Sequence, residues 1–193
     1  DALQYEISKK MMELKRELAR SLIMGHKSAD SGSDTVYRAK EGLYDAIRYA
    51  TGSNYSAVAG GLTPADLESM VLDVWDDGGI PSLLVTTGAL YQKIVNFFAA
   101  NVRYAPSDRV RGVFVNKYLS NLGAELELLA SHWAQAGSLF VLDQSRIFLV
   151  PFRPFRVDPL AKTGDAFKWQ ILGEYTAEIF NRAEAHALRE NLT

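Results

Sequence analysis

The sequence contains no cysteine. Disulfide staples and thiolate metal sites are therefore excluded. Three histidines occur, His26, His132 and His186, and they have neither metal-ligand spacing nor a partner motif. No apolar run reaches the ~18 residues a membrane-crossing helix needs, and no secretory leader pattern is visible. The glycine patterns G-x-S-x-G and G-x-G-x-x-G are missing. Neither sign of charge dominates: 21 Lys and Arg stand against 23 Asp and Glu, a formal net charge of −2. Bulk electrostatics thus gives no reason to expect a nucleic-acid or membrane surface. What remains is a chain of 193 residues, 48% of them hydrophobic, which is ordinary for a folded domain. That length makes one domain or two small lobes and buries roughly 70% of the unfolded surface.

Fragments of catalytic sets occur, and none is completed. Lys162-Thr163-Gly164 matches one box of the serine β-lactamases, but the S-x-x-K and S-D-N boxes are missing, so a turn is expected. Asp76 and Asp77 are neighbours at a helix end, diverge, and have no third ligand. Glu125 and Glu127 share a strand face, as glycosidase acids do, but that chemistry needs a cleft; a solvent face is expected. Thr87-Gly88 lies at a strand–helix junction where a phosphate could bind. It lacks the spacing and lysine of a P-loop, so capping is the simpler reading. Arg103, Arg109, Arg111 and Lys117 form a loose basic segment without regularly interleaved aromatics, and a solvated loop is expected. No catalytic residue, cofactor or metal follows from the sequence.

Residues 2–24 read as a long amphipathic helix. Leu3, Ile7, Met11, Leu14, Leu18 and Leu22 form one stripe at helical spacing, Glu6 and Lys10 make a favourable pair four residues apart, and Gly25 stops the helix. Residues 26–61 read as a connecting loop region, with one helical turn or short strand near 42–50. Thr63-Pro64-Ala65-Asp66 announces a second helix: Thr63 as N-cap, Pro64 at the first helical position, Asp66 in the first turn. Its buried face is expected to be Leu67, Met70, Val71, Val74 and Trp75. A short strand at 82–86, a helix to about 101, and strands starting at 113, 124 and 138 follow.

Residues 146–181 read as two long strands and a turn. The second, 168–180, alternates: Trp169, Ile171, Tyr175, Ala177 and Ile179 point one way, Lys168, Gln170, Glu174, Thr176 and Glu178 the other, with Leu172 and Phe180 as exceptions. A period of two marks a half-buried strand. A run of this length spans about 43 Å, roughly twice an ordinary strand. It calls for a projecting sheet that meets another chain. Pro151 and Pro154 place their strand at an edge or interrupt it.

The run from Pro159 to Asn191, PLAKTGDAFKWQILGEYTAEIFNRAEAHALREN, resembles the C-terminal signature of major capsid proteins of tailed bacteriophages. That signature has a Leu-x-Lys-Thr-Gly-Asp turn, a long strand containing Gly-Glu, then an Asn and a short helical end. Leu14-Lys15-Arg16-Glu17-Leu18, the helix running into Trp75-Asp76-Asp77-Gly78-Gly79, and Thr87-Gly88 after a strand fit in order and spacing. The resemblance implies an α+β fold with a long spine helix, an elongated antiparallel peripheral-domain sheet, and an axial domain with a central sheet and flanking helices. Residues 1–25 and 138–181 would be peripheral, 26–61 connecting, 62–137 axial and 182–193 a C-terminal segment. The family's N-terminal arm and extended loop precede the spine helix; the chain starts at Asp1 inside a helical pattern, so a truncated or processed product is expected.

The resemblance further implies self-assembly into pentamers and hexamers of an icosahedral shell, in a virion built in the bacterial cytoplasm. Scaffold, portal and decoration proteins would be partners, and packaged DNA would be met only non-specifically. Contacts between copies are expected at Arg153, Arg156, Asp158, Lys162, Asp165, Lys168, Glu174 and Glu178, the basic ones facing Glu174, Glu178 or axial-domain acids of the next subunit. Two other readings stand beside this one: a cellular nanocompartment shell of the same fold, and a small-molecule-binding or enzymatic α+β domain. The last requires a deep polar pocket between residues 62–100 and the strands of 113–142.

Overall fold

The computed structural model describes residues 2–28, 39–99, 117–161, 164–165 and 168–193. In chain order the elements are α1 (Ala2–Met24), α2 (Leu43–Arg48), β1 (Asn54–Gly60), α3 (Pro64–Asp76), β2 (Leu83–Thr86) and α4 (Gly88–Ala99). Then come β3 (Lys117–Leu119), β4 (Glu125–Ala130), β5 (Leu139–Leu142), β6 (Ile147–Pro159), β7 (Trp169–Ile179) and β8 (His186–Leu192). They form two compact units, residues 1–45 with 147–179, and residues 46–146 with 180–193.

The first unit is a helix and a hairpin. α1 has the bounds that its leucine stripe predicts. Just past its end the returning chain comes close to Gly25, where a Cβ would lie 2.7 Å from the Lys40 carbonyl oxygen, so glycine fits there. The Gly42 amide donates to the Gly25 carbonyl at 2.7 Å. On the surface of α1 the expected Glu6–Lys10 pair gives way to neighbours one turn apart, Lys9 with Glu6 at 3.5 Å and Lys10 with Glu13 at 2.7 Å. β6 and β7 pair antiparallel as a two-stranded sheet. β6 has 13 residues and β7 has 11, two fewer than the alternation predicts. The register shifts between Pro151 and Arg153 and again between Arg153 and Arg156. Pro151 and Pro154 fall in this stretch because neither can donate to a ladder.

The second unit holds a six-stranded mixed sheet of order β1-β8-β5-β2-β4-β3. β1/β8 and β2/β4 are parallel, and the other pairs are antiparallel. α3 and α4 bury Leu67, Met70, Val71, Val74, Leu90 and Ile94 in a cluster with Leu84, Leu126, Leu139 and Val141 of the strands. On the alternate positions Phe140, Leu142 and Leu188 are also buried. α3 begins as expected. Thr63 is extended (φ −117°, ψ 158°); its Oγ1 accepts from the Asp66 amide at 3.2 Å while Asp66 Oδ2 accepts from the Thr63 amide at 2.9 Å. This reciprocal pair satisfies two donors that a bare helix start leaves orphaned.

Several expectations are corrected. Residues 54–60, read as loop, are the edge strand β1, and Asn54 ties that edge down by donating to Asp77 at 2.9 Å and to the Glu184 carbonyl at 3.2 Å. The helical end expected near the C-terminus is β8, a strand between β1 and β5. β5, grouped by sequence with the long hairpin, belongs to the six-stranded sheet. The ambiguous stretch near 42–50 is the helix α2. Trp75, assigned to the buried face of α3, is 51% exposed. The strand expected from 113 and most of the basic segment lie outside the described residues; Lys117 opens β3. No helix among the described residues is long and apolar enough to cross a membrane.

Candidate interaction surface

In α1, β6 and β7 no described side chain is buried; each is half-buried or exposed. A two-stranded sheet is marginal in water by itself, and among the described residues each of these strands has one neighbour, which leaves its other edge unpaired there. Phe148, Leu149, Val150, Trp169 and Leu172 are exposed, and Phe152 is 76% exposed. Exposed large apolar side chains are thus concentrated on this hairpin.

Between α1 and β7 runs a cavity of about 580 Å³, with Leu3, Ile7, Leu14 and Ile171 as apolar lining and Glu6, Glu13 and Glu17 around it. A second, about 790 Å³, shares Leu14 and Glu17 and reaches Gly25, Lys40, Phe155, Gly173 and Tyr175. Lys40 Nζ is buried there without a hydrogen-bond partner among the described residues, and burial pushes its pKa down. A clasp in the hairpin forms one wall. The Phe155 amide donates to the Tyr175 hydroxyl at 3.1 Å, and the two rings stand 4.9 Å apart, tilted by 43°. Sequence reasoning missed this clasp; its signal was a glycine, Gly173, inside an otherwise alternating strand.

The charged residues singled out in the sequence fall mostly on this hairpin. Arg153 and Glu174 are register partners, with Nε 3.4 Å from the carboxylate. Arg156 lies 2.9 Å from Asp158 on the same strand. Both pairs thus close within one chain. Glu178 is exposed and stands opposite Phe148. Asp165 and Lys168 are exposed beyond the strand ends, and Lys162 lies outside the described residues.

The titratable groups elsewhere serve the fold. His26 Nδ1 is 2.9 Å from Asp45. Glu190, buried in β8, accepts from the Tyr55 hydroxyl at 2.6 Å and from Arg48 at 3.3 Å, yet burial pushes its carboxyl up. Asp143 is also buried. Burial alone would raise its pKa, but the Ser145 hydroxyl at 2.6 Å, the Ile80 amide and Arg146 together hold it below the usual carboxylate value. His186 Nδ1 accepts from the Asp143 amide at 3.3 Å, and burial pushes its pKa down. Among the described residues no group of three or more His, Asp or Glu is placed to hold a metal ion. Glu125 alternates outward as expected and pairs with Lys117 at 3.2 Å.

Among the described residues an open groove of about 560 Å³ lies between α3 and the β3–β4 turn. Its one carboxylate, Glu68, is engaged by the Tyr118 hydroxyl and by the Asn121 amide at 3.2 Å.

A family model described as SU10 major capsid protein matches residues 1–193. No curated protein sequence matches the chain. Among solved structures, the holo-SrpI encapsulin complex from Synechococcus elongatus PCC 7942 is similar, with 16% identity, 100% of this chain and 66% of that chain covered, and a TM-score of 0.65. A chain of Mycobacterium phage Bobi is similar at 15% identity over 98% of this chain and 65% of that one, with a TM-score of 0.58. For Mycobacterium phage Adephagia the values are 16%, 98%, 64% and 0.54. At such identities the likeness is one of fold. The chain thus spans just under two thirds of the length of these structural relatives.

Proposed function

The chain belongs to the SU10 major capsid protein family and has the fold of these shell proteins, and from that premise we propose that its copies close into the icosahedral head of a tailed phage. The observation that carries the proposal is the helix–hairpin unit, in which none of the described side chains of α1, β6 or β7 is buried. Such a unit gains its dry contacts from neighbours. Each large apolar side chain fully covered contributes roughly 1.5–3 kcal/mol, and contacts repeated around a closed shell make moderate terms cooperative.

On this reading the helix–hairpin unit is the peripheral part and the six-stranded unit the axial part, arranged as pentamers and hexamers. The charged rows of β6 and β7 set register between copies, since half-exposed pairs are worth about 0–1 kcal/mol and supply orientation more than affinity. Scaffold, portal and decoration proteins act beside this chain, packaged DNA is met without sequence preference, and the product is the virion, assembled in the host cytoplasm.

The likeness to the SrpI encapsulin supports a second reading, a cellular nanocompartment, and the contents of the shell separate the two. The test is negative-stain electron microscopy of the full-length protein, expressed with its co-encoded assembly proteins. Closed uniform shells are expected, filled with DNA in a phage infection and with a protein cargo in a nanocompartment. Monomers at every salt concentration tried would overturn both readings.

A further inference from the structure

α3 is apolar on two sides. Leu67, Met70, Val71 and Val74 form the buried stripe. A second stripe, turned away from it, carries Ala65, Leu72 and Trp75, with Leu72 44% and Trp75 51% exposed. A helix with one partner needs one stripe. Ala65 and Leu72 of this stripe line the groove of about 560 Å³, which Leu122 closes on the other side, and Trp75 lies one turn of the helix beyond Leu72. The groove is built, because Glu68 fastens α3 to Tyr118 and Asn121 across it.

Charge surrounds this apolar surface with one sign. α3 and its C-cap carry Asp66, Glu68, Asp73, Asp76 and Asp77, and no lysine or arginine. Among the described residues only Asp73 of these meets a cation, Arg189 at 2.6 Å. The complementary chemistry is in the same chain. Residues 100–116, ANVRYAPSDRVRGVFVN, carry Arg103, Arg109 and Arg111 against a single acid, Asp108, with Tyr104 and Val110 between them and Phe114 after them.

We infer that the outer face of α3 and its groove bind residues 100–116 of a second copy of this chain. The inference rests on the proposed self-assembly and names the surface used. A face that receives and a segment that is given, both on every copy, make a head-to-tail contact, which closes into a ring when the rotation permits. Leu72 and Trp75 supply the desolvated centre, and the acids around them select and orient the basic segment.

The test is a charge exchange read by sedimentation velocity on the full-length protein at low and high salt. Asp76 is exposed and outside the capping and tying bonds, so Asp76→Arg leaves thermal unfolding unchanged. Asp76→Arg alone, and Arg109→Glu with Arg111→Glu, each weaken self-association severalfold at low salt. An equimolar mixture of the two restores part of it, because the arginine introduced at position 76 on one chain then faces the glutamates introduced at positions 109 and 111 on the other. Trp75→Ser weakens association at either salt. Wild-type association by Asp76→Arg, or a mixture that stays dissociated, overturns the inference. So does restoration confined to the single chain bearing all three changes, which would place the segment on its own α3. Failure of the wild-type protein to associate at all strikes the shell reading itself and is thereby distinguished.

Discussion

Phe155 lies directly over Gly173: a Cβ built on the glycine would come 2.4 Å from the Cδ1 atom of the ring and 2.7 Å from Cε1. The glycine of the Gly-Glu pair in the long strand is therefore a seat for an aromatic ring from the facing strand. Alanine would ordinarily gain about 0.5–1 kcal/mol over glycine in a strand. Here overpacking reverses the sign, and Gly173→Ala is expected to destabilise by about 1 kcal/mol. In a Phe155→Ala background the same change becomes neutral or favourable. Urea unfolding of the four proteins of this cycle measures the coupling, and additive effects would refute the seat.

Thr63→Ala removes the hydroxyl that accepts from the Asp66 amide and is expected to cost about 1 kcal/mol. Thr63→Ser keeps the acceptor and most of the stability. Thermal unfolding of the two variants separates loss of the cap from loss of a methyl group, and equal losses would show that the cap contributes nothing.

Acid acts on the six-stranded unit in two stages. His186 has a pKa below its ordinary 6.5 because burial disfavours the imidazolium. As pH falls through 6.5 the unfolded chain takes up a proton that the folded chain refuses. Stability present above pH 6.5 is thus lost toward the depressed value. Asp143, with a pKa below its ordinary 3.8, adds stability that is present above that value and lost as pH falls through the lowered one. Chemical unfolding at pH 7.5 and pH 5.5 should show a decline in the wild type that His186→Gln flattens. Parallel declines in the two proteins would exclude His186 as the cause.

Arg153 and Glu174 are each 53% exposed. Arg153→Gln and Glu174→Gln are therefore expected to shift unfolding by less than about 1 kcal/mol. Their effect on assembly followed by light scattering is expected to be larger at low salt and to fade as salt screens the row. An assembly rate indifferent to both changes at low salt would remove the orienting role.

Elements with local causes were legible in the sequence. The leucine stripe sets both ends of α1, the Thr63–Asp66 box starts α3, and the alternation of β7 shows against its two-residue overestimate. Elements whose cause is a distant partner were not. β1 reads Asn-Tyr-Ser-Ala-Val-Ala-Gly, small and without a period, and is a strand because β8 lies beside it. His186 to Leu192 has residues that suit a helix, and burial between β5 and β1 overrides that preference. Trp75 was misassigned because a helix apolar on two sides does not say which side faces its own core. The charged hairpin residues could be named from sequence. Their pairing could not, since register depends on the two shifts around Pro151 and Pro154.

The parallel pairing of Asn54 with Ala187 also dictates a timetable for a nascent subunit. The partner of β1 is synthesised about 130 residues after it, which at ~5–20 residues per second is a delay on the order of ten seconds. Throughout that interval β1 is an unclaimed edge on the ribosome, among sister chains emerging from the same message. Its small, weakly apolar side chains make it a poor template for premature pairing. The six-stranded sheet is completed only when β8 arrives, so a surface built on its β1 edge cannot mature before β8 has been synthesised.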